Sequence, residues 1–255
     1  MSATMTPVMA RLAAFGGLLW GHTLYALLAL AATALAALAA LLFAPLLGAE
    51  RGGRWIVRPW AFLLTATLPV RVRMRGAWPI ASTGAIVVAV NHQSQFDVPV
   101  LYRWLRRDLR WVMKQEVMNI PLVGRGASAL GHIAIDRNAG ADARRRIKEK
   151  LASFPAGVGL LFFAEGTRSR DGRVLPFKSG AFRIAIEQGL PLVPVAIAGT
   201  RRVFPPGAFG LKPGEVTITV HEPIETAGLG EDDIKALRDR VQRWVASQVE
   251  RADAD

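Results

Sequence analysis

The sequence predicts an α/β domain preceded by a hydrophobic membrane helix or helix hairpin. Residues 12–49 contain no Asp, Glu, Lys or Arg, a run of 38 residues, whereas a helix needs only ~20 apolar residues to cross a bilayer's hydrocarbon. From Ala77 onward, short β-rich runs alternate with helix-periodic ones, the pattern of a sheet covered by helices. Two of those runs end in polar turns, one at Asn91 to Asp97 and one at Phe163 to Ser169, and open α/β sheets bind ligands at their carboxyl edge.

The apolar run opens with Gly16, Gly17 and Gly21, which favour helix poorly, so the helix core is expected over residues 22–44, stopped by Pro45 and Gly48. The run is too long for a signal-peptide core or a buried soluble helix. A second apolar stretch, residues 59–70, is too short to span but long enough to lie in an interface, with Trp55 and Trp60 as anchors. Arg51, Arg54, Arg58, Arg71, Arg73 and Arg75 surround it with no acid between them, and only Arg11 precedes the apolar run. This bias puts the bulk of the chain on the cytoplasmic face. Either the first helix crosses, or both segments form a hairpin in one leaflet. Residues 1–75 are thus read as membrane-associated helices and 76–255 as the α/β domain, with a linker near residues 76–84, where Pro, Ser, Thr and Gly cluster.

Strands are expected at residues 85–90, 109–113, 133–135, 159–163, 192–197 and 216–221. Helices are expected at 98–106, in part of 115–130, and at 141–154, 181–188 and 231–250. The last carries an apolar stripe of Ile234, Leu237, Val241, Trp244 and Val245, the mark of an amphipathic helix packed on a sheet.

Composition bounds the function. With 255 residues, 51% hydrophobic content and a mean hydropathy of +0.26, the chain holds one sizeable domain and a greasy appendage. A net charge of +12 suits an anionic partner, whether nucleic acid, an anionic bilayer or an acidic carrier protein. Cysteine is absent, which removes disulfides, thiol nucleophiles and thiolate metal sites.

The chemistry centres on His92 and Asp97. The uncharged run before them reads as a strand buried on both faces, so His92 stands just past its carboxyl end. Pro99 is tolerable only in the first turn of a helix, which puts Asp97 near the N-cap. A strand-to-helix turn lets the carboxylate fold back on the imidazole, the geometry of a base and its orienting partner. The spacing by itself also fits a plain N-cap or a Ser94-to-Asp97 capping box. In the second turn, Gly166 permits close backbone approach, Thr167 offers a hydroxyl, and Arg168 offers a fork that matches phosphate. A surface turn with a solvated Glu165/Arg168 pair is the plainer reading of that segment.

Other matches fail. Gly172 to Ser179 imitates a phosphate loop, but Phe177 stands where glycine is needed. Gly124 to Ala129 imitates a dinucleotide fingerprint, with no strand before it and no acid at the required distance. His22, His92, His132 and His221 have no metal-ligand spacing, so catalysis without a metal is expected. No nucleophile elbow surrounds Ser94.

Taken together, the residues resemble the glycerolipid acyltransferases, whose best-known bacterial members are the 1-acylglycerol-3-phosphate acyltransferases. His92 through Asp97 look like that family's H-x-x-x-x-D block. Lys114 to Pro121 with Gly124, then Gly131 to Arg137, resemble its second block; Glu165 to Ser169 its third; and Leu192 to Val195 its fourth. Ala164 departs from the proline usual there.

The resemblance implies a mixed sheet flanked by helices and transfer of an acyl group from a thioester to the sn-2 hydroxyl of lysophosphatidic acid, giving phosphatidic acid. In that reading His92 is the base and Asp97 its orienter; Arg168, with Glu165, Gly166 and Thr167 shaping the loop, holds the phosphate; and Lys114 is a second anionic or oxyanion contact. No bound cofactor is implied. Acyl-coenzyme A or acyl-acyl-carrier protein is the co-substrate, the membrane surface an anionic partner, and nucleic acid no partner. A same-fold acyltransferase acting on a lyso-ornithine lipid, another lysophospholipid or glycerol 3-phosphate is the alternative, as is a non-enzymatic membrane-anchored lipid-binding protein.

Overall fold

The computed structural model describes residues 7–67, 70–76, 84–136, 140–155, 157–205, 207 and 211–254, with side chains from Thr23 onward. Helix α1 (Pro7–Leu47) runs without interruption through Gly16, Gly17 and Gly21. Each glycine costs only about 1 kcal/mol against alanine, and a long Ala- and Leu-rich helix propagates across them. Pro45 lies inside its last turn. From Thr23 to Leu47 the helix is long and apolar enough to cross a membrane.

Gly48, at φ +81°, reverses the chain. A second helical run then follows as α2 (Ala49–Gly52), a π-helical turn (Gly53–Val57) and α3 (Arg58–Ala66). It returns along α1 as a hairpin: Trp60 Nε1 donates to Thr33 Oγ1 at 3.0 Å, and Tyr25 Oη to the Leu64 carbonyl at 3.4 Å. Of the two expected tryptophan anchors, Trp55 is 69% exposed while Trp60 packs inward, because its indole N–H finds a partner only on α1.

The sheet has seven strands: β1 (Val70–Arg75), β2 (Ile86–Val90), β3 (Leu109–Lys114), β4 (Ile133–Ile135), β5 (Gly159–Phe163), β6 (Leu192–Ala198) and β7 (Gly214–Val220). Their order is β1-β7-β6-β2-β5-β3-β4, parallel throughout except at the antiparallel β6–β7 pair. The sheet is therefore mixed. It also begins before the expected boundary at Gly76. Val70 to Arg75 had the look of a basic membrane flank, but its alternation turns Val70 and Val72 toward the core and leaves Arg71 and Arg73 exposed, which blunts an edge strand against further pairing. Most of the expected linker, residues 77–83, lies outside the described residues, as does Arg137.

The remaining helices are α4 (Asp97–Trp104), α5 (Val123–Ala129), α6 (Gly140–Ala152), α7 (Gly180–Glu187), α8 (Thr200–Val203) and α9 (Asp233–Ala254), with a 3₁₀ turn at Gln115–Asn119. Strand periodicity sorts the core into two layers. Ile86, Val88 and Val90 face the layer that includes α1, α3 and α4, whereas Val87 and Ala89 face α6, α7 and α9. Both faces being covered, β2 reads as a continuous apolar run.

Small residues dock α1 on the domain. Ala37, Ala40 and Ala44 are buried, and a Cβ on Gly126 of α5 would come within 2.9 Å of the Ala37 backbone. The glycines that imitate a dinucleotide fingerprint are thus packing residues: Gly126 meets α1, and Gly124 lies against the Met118 backbone. Phe177, within the segment that imitates a phosphate loop, is buried against Phe182.

Candidate active site

β2 and β5 are parallel neighbours, with Val90 paired to Phe163, so the turns that follow them emerge side by side. Asn91, fully buried, extends the sheet with its side chain. Its Nδ2 donates to the Ile197 carbonyl at 2.9 Å and its Oδ1 accepts the Ile197 N–H at 2.8 Å. His92 then has both backbone groups tied to the second turn: its N–H donates to Glu165 Oε1 at 2.7 Å, and its carbonyl accepts the Ser169 N–H at 2.8 Å.

Asp97 opens α4 and is completely buried. One oxygen, Oδ2, accepts the N–H groups of Gln93 at 2.8 Å and Ser94 at 2.9 Å, and lies 2.7 Å from His92 Nδ1. An oxygen that receives two amide protons acts as a carboxylate acceptor, so Nδ1 supplies the third proton, and in the neutral ring the lone pair is left on Nε2. The ring plane is fixed by Phe163, stacked at 3.6 Å and 11°. The imidazole is therefore held in one orientation with its second nitrogen set by its neighbours, an arrangement that can act as a base. The Ser94 hydroxyl does not build a capping box; it accepts from Phe96 N–H and donates to the Phe204 carbonyl.

Glu165 is 2% exposed and turns inward: Oε1 takes the His92 N–H, and Oε2 the Leu175 N–H at 2.9 Å. Burial pushes its carboxyl up to about 7; the two amide bonds oppose that rise, and Asp97 and Asp171 add to it. Glu165 therefore shapes the loop from behind and offers no surface to a ligand. Gly166 adopts φ +76°, a conformation that favours glycine. Ser169 Oγ and Gln93 Nε2 stitch the loop onward, to Gly172 N–H and the Gly172 carbonyl respectively, each at 3.0 Å.

A cavity of about 520 Å³ opens at His92. Its rim carries Gly166, Thr167, Arg168 and Lys114, and its wall runs over Phe163, Trp111 and Tyr102 to α5 and to Thr33, Ala36 and Ala37 of α1. Arg168 and Lys114 are exposed, and among the described residues neither side chain makes an ion pair or hydrogen bond. The structure thus brings His92, Gly166, Thr167, Arg168 and Lys114 to one cavity, with Asp97 and Glu165 behind them. Among the described residues, no three His, Asp or Glu side chains converge as a metal site.

Sequence reasoning missed Asn91, whose strand-like pairing shows only when β6 is alongside. It also missed the cavity wall, assembled from α1, α4, α5 and β3.

Comparison with known proteins agrees with this architecture. The chain is 36% identical over 150 residues to a chloroplastic 1-acyl-sn-glycerol-3-phosphate acyltransferase of Brassica napus, covering 57% of this chain and 42% of that protein. It is 32% identical over 174 residues to 1-acyl-sn-glycerol-3-phosphate acyltransferase alpha of Homo sapiens, covering 68% and 62%. The chain spans about half the length of the curated relatives it matches. The crystal structure of the 1-acyl-sn-glycerophosphate acyltransferase PlsC from Thermotoga maritima superposes with a TM-score of 0.75 at 28% identity, over 92% of this chain and 95% of that one. The Acyltransferase family model matches residues 71–198, the stretch that holds both turns of the site, and the chain belongs to that family.

Proposed function

We propose that the protein transfers a fatty acyl group from an acyl thioester to the sn-2 hydroxyl of lysophosphatidic acid, releasing phosphatidic acid. The observation that carries this reading is the 2.7 Å contact between His92 Nδ1 and the buried Asp97, at a largely apolar cavity rimmed by cations.

The acyl chain lies in the cavity with its thioester carbonyl at the mouth. Arg168 grips the acceptor's phosphate through two parallel N–H groups, with Gly166 and Thr167 shaping the grip and Lys114 facing the phosphate or the oxyanion. The acceptor hydroxyl gives its proton to Nε2 as its oxygen bonds to the carbonyl carbon. The C–S bond then breaks, and the imidazolium returns the proton to the departing thiolate. Asp97 stabilises the imidazolium between the two steps. No covalent enzyme intermediate and no bound cofactor enter.

The donor is a coenzyme A or acyl-carrier-protein thioester, both acidic, and the net charge of +12 attracts either, as it does an anionic lipid surface. The α1 hairpin holds the protein on the membrane, and the arginines that follow α1 set it on the cytoplasmic face.

Purified protein given acyl-coenzyme A and lysophosphatidic acid should release free thiol and form phosphatidic acid. Thiol release only with a lyso-ornithine lipid, another lysophospholipid or glycerol 3-phosphate would reassign the acceptor, and none with any acceptor would leave a lipid-binding role.

A further inference from the structure

Between the 3₁₀ turn and α5 the chain leaves two large apolar side chains in the open together: Ile120 is 48% exposed and Leu122 42%, with exposed Pro121 between them. Leu122 sits at φ +62° and ψ −48°, and the Val123 N–H donates across it to the Pro121 carbonyl at 2.7 Å. This is a γ-turn of the rare, strained hand, in a region that a bulky residue seldom occupies. Three more backbone bonds lock it: Ile120 N–H to the Val117 carbonyl at 3.1 Å, Gly124 N–H to the Ile120 carbonyl at 3.1 Å, and Gly126 N–H to the Leu122 carbonyl at 2.8 Å. The chain thus bears strain to hold a rigid apolar tip outward, and strain of this kind collects at working sites.

The tip has a definite level along α1. Within α5, Gly126 meets Ala37; just past its end, Leu130 reaches the flank of Ala44, since a Cβ on Gly52 would lie 2.9 Å from Leu130 Cδ2 and 3.4 Å from Ala44 Cβ. α5 therefore runs alongside α1 in the same sense. Leu122, one turn before Gly126, comes level with Thr33, near the middle of the apolar span Thr23–Leu47. The cavity agrees with that placement, because Thr33 and Ala36 line it together with Val117 and Val123, which bracket the tip. Leu30 and Leu35, 69% and 66% exposed, stand at the same level on α1. Arg125, one turn beyond Leu122, is exposed, and its side chain makes no ion pair or hydrogen bond among the described residues. Between Lys114 and Arg125 the segment carries a single acid, Glu116.

We propose that Ile120 and Leu122 form a wedge that enters the lipid leaflet beside α1, with Arg125 reaching back to the phosphate headgroups. The inference rests on the membrane placement of α1 and not on the reaction. Lipid is the partner because the medium that covers Leu30 and Leu35, on a helix of membrane length, also reaches the wedge at their level. A long basic side chain beside an apolar tip suits the boundary between acyl chains and anionic headgroups. The wedge is a second attachment, separate from the helix hairpin. A hairpin alone leaves rotation about its own axis open, whereas two contacts hold the Val117 and Val123 wall of the cavity against the leaflet.

The chain contains no cysteine, so one introduced thiol carries a fluorophore without further change. The variants are Ile120→Cys, Leu27→Cys on α1, and Asp232→Cys, exposed just before α9 and so on the opposite layer. Each is labelled with an environment-sensitive dye, and the full chain is reconstituted in vesicles of phosphatidylcholine and phosphatidylglycerol, with or without bromine on the acyl chains. Ile120→Cys keeps Leu122 and its turn, and circular dichroism checks each fold. Emission from position 120 should shift to the blue and be quenched by brominated lipid about as fully as that from position 27, while position 232 stays unquenched by bromine and open to aqueous iodide. Iodide quenching at 120 equal to that at 232 would overturn the proposal. Shielding of 120 from both iodide and bromine would also overturn it, by marking a contact between protein copies. Bromine quenching at neither 120 nor 27 would overturn it together with the membrane placement of α1.

Discussion

The backbone N–H of His92 donates to Glu165 Oε1 at 2.7 Å, across 73 residues of sequence. The second oxygen of the same carboxyl holds Leu175 N–H, so one buried side chain sets the spacing between the base and the loop that carries Arg168. Because burial raises this carboxyl from 4.5 to about 7, the folded state binds its proton more tightly than the unfolded chain does. That contribution to stability is complete below pH 4.5 and is lost as pH rises toward about 7. Urea unfolding midpoints should therefore fall across that interval in the unaltered protein and show less of that fall in Glu165→Gln. Identical pH slopes in the two proteins would refute the assignment.

His92→Ala should lower transfer by roughly 100- to 10,000-fold, the usual share of general base catalysis. Asp97→Asn should come close to it, because the amide no longer enforces a protonated Nδ1. Both variants need checking by circular dichroism. Near-normal turnover by folded His92→Ala would sink the mechanism.

Arg168→Lys should be far worse than its conserved charge suggests. Lysine keeps a point charge but loses the fork, and a displacement of about 1 Å in a reacting group can cost around 100-fold. The loss should appear in both acceptor KM and kcat for lysophosphatidic acid, while an acceptor without phosphate should be indifferent. Unaltered kinetics would move the phosphate contact to Lys114.

Gly126→Val tests how α1 is seated. The new Cβ would come within 2.9 Å of the Ala37 backbone, which cannot yield as a flexible side-chain tip can. Overpacking of this kind typically costs about 1–3 kcal/mol. A thermal midpoint equal to that of the unaltered protein would mean that α1 is not held against α5 in solution.

Extraction separates burial from charge. High salt screens the arginines that follow α1 but leaves its exposed Leu24, Leu27, Leu30 and Leu35 to the bilayer. The protein should remain with membranes in salt and leave them in detergent. Release by salt alone would contradict the α1 assignment.

The two turns were legible in the sequence because local patterns announce them: a β-branched run, a polar turn, and a proline that forces a helix to begin. Tertiary contact hid the rest. Glu165 looks like a partner for Arg168 until its backbone contacts with His92 and Leu175 are seen. Arg71, Arg73 and Arg75 carry the same charges whether they flank a membrane segment or line an edge strand, and only pairing with β7 decides. His132 lacks metal-ligand spacing in the sequence, yet its neighbours Tyr102 and Trp111 come from α4 and β3, which no spacing rule would join.

The tethering of His92 by Glu165 on one side and Ser169 on the other governs how this site can diversify. Any insertion or deletion between those two anchors would shift the base itself, so loop length there is not free to vary with the acceptor. On the proposed reading, new acceptor preferences arise by exchange of side chains at Thr167 and Arg168, or by remodelling beyond Gly172. Grafting a longer loop at this position should give folded but inactive protein, whereas a point-substitution library at Thr167 should retain turnover with altered acceptor choice.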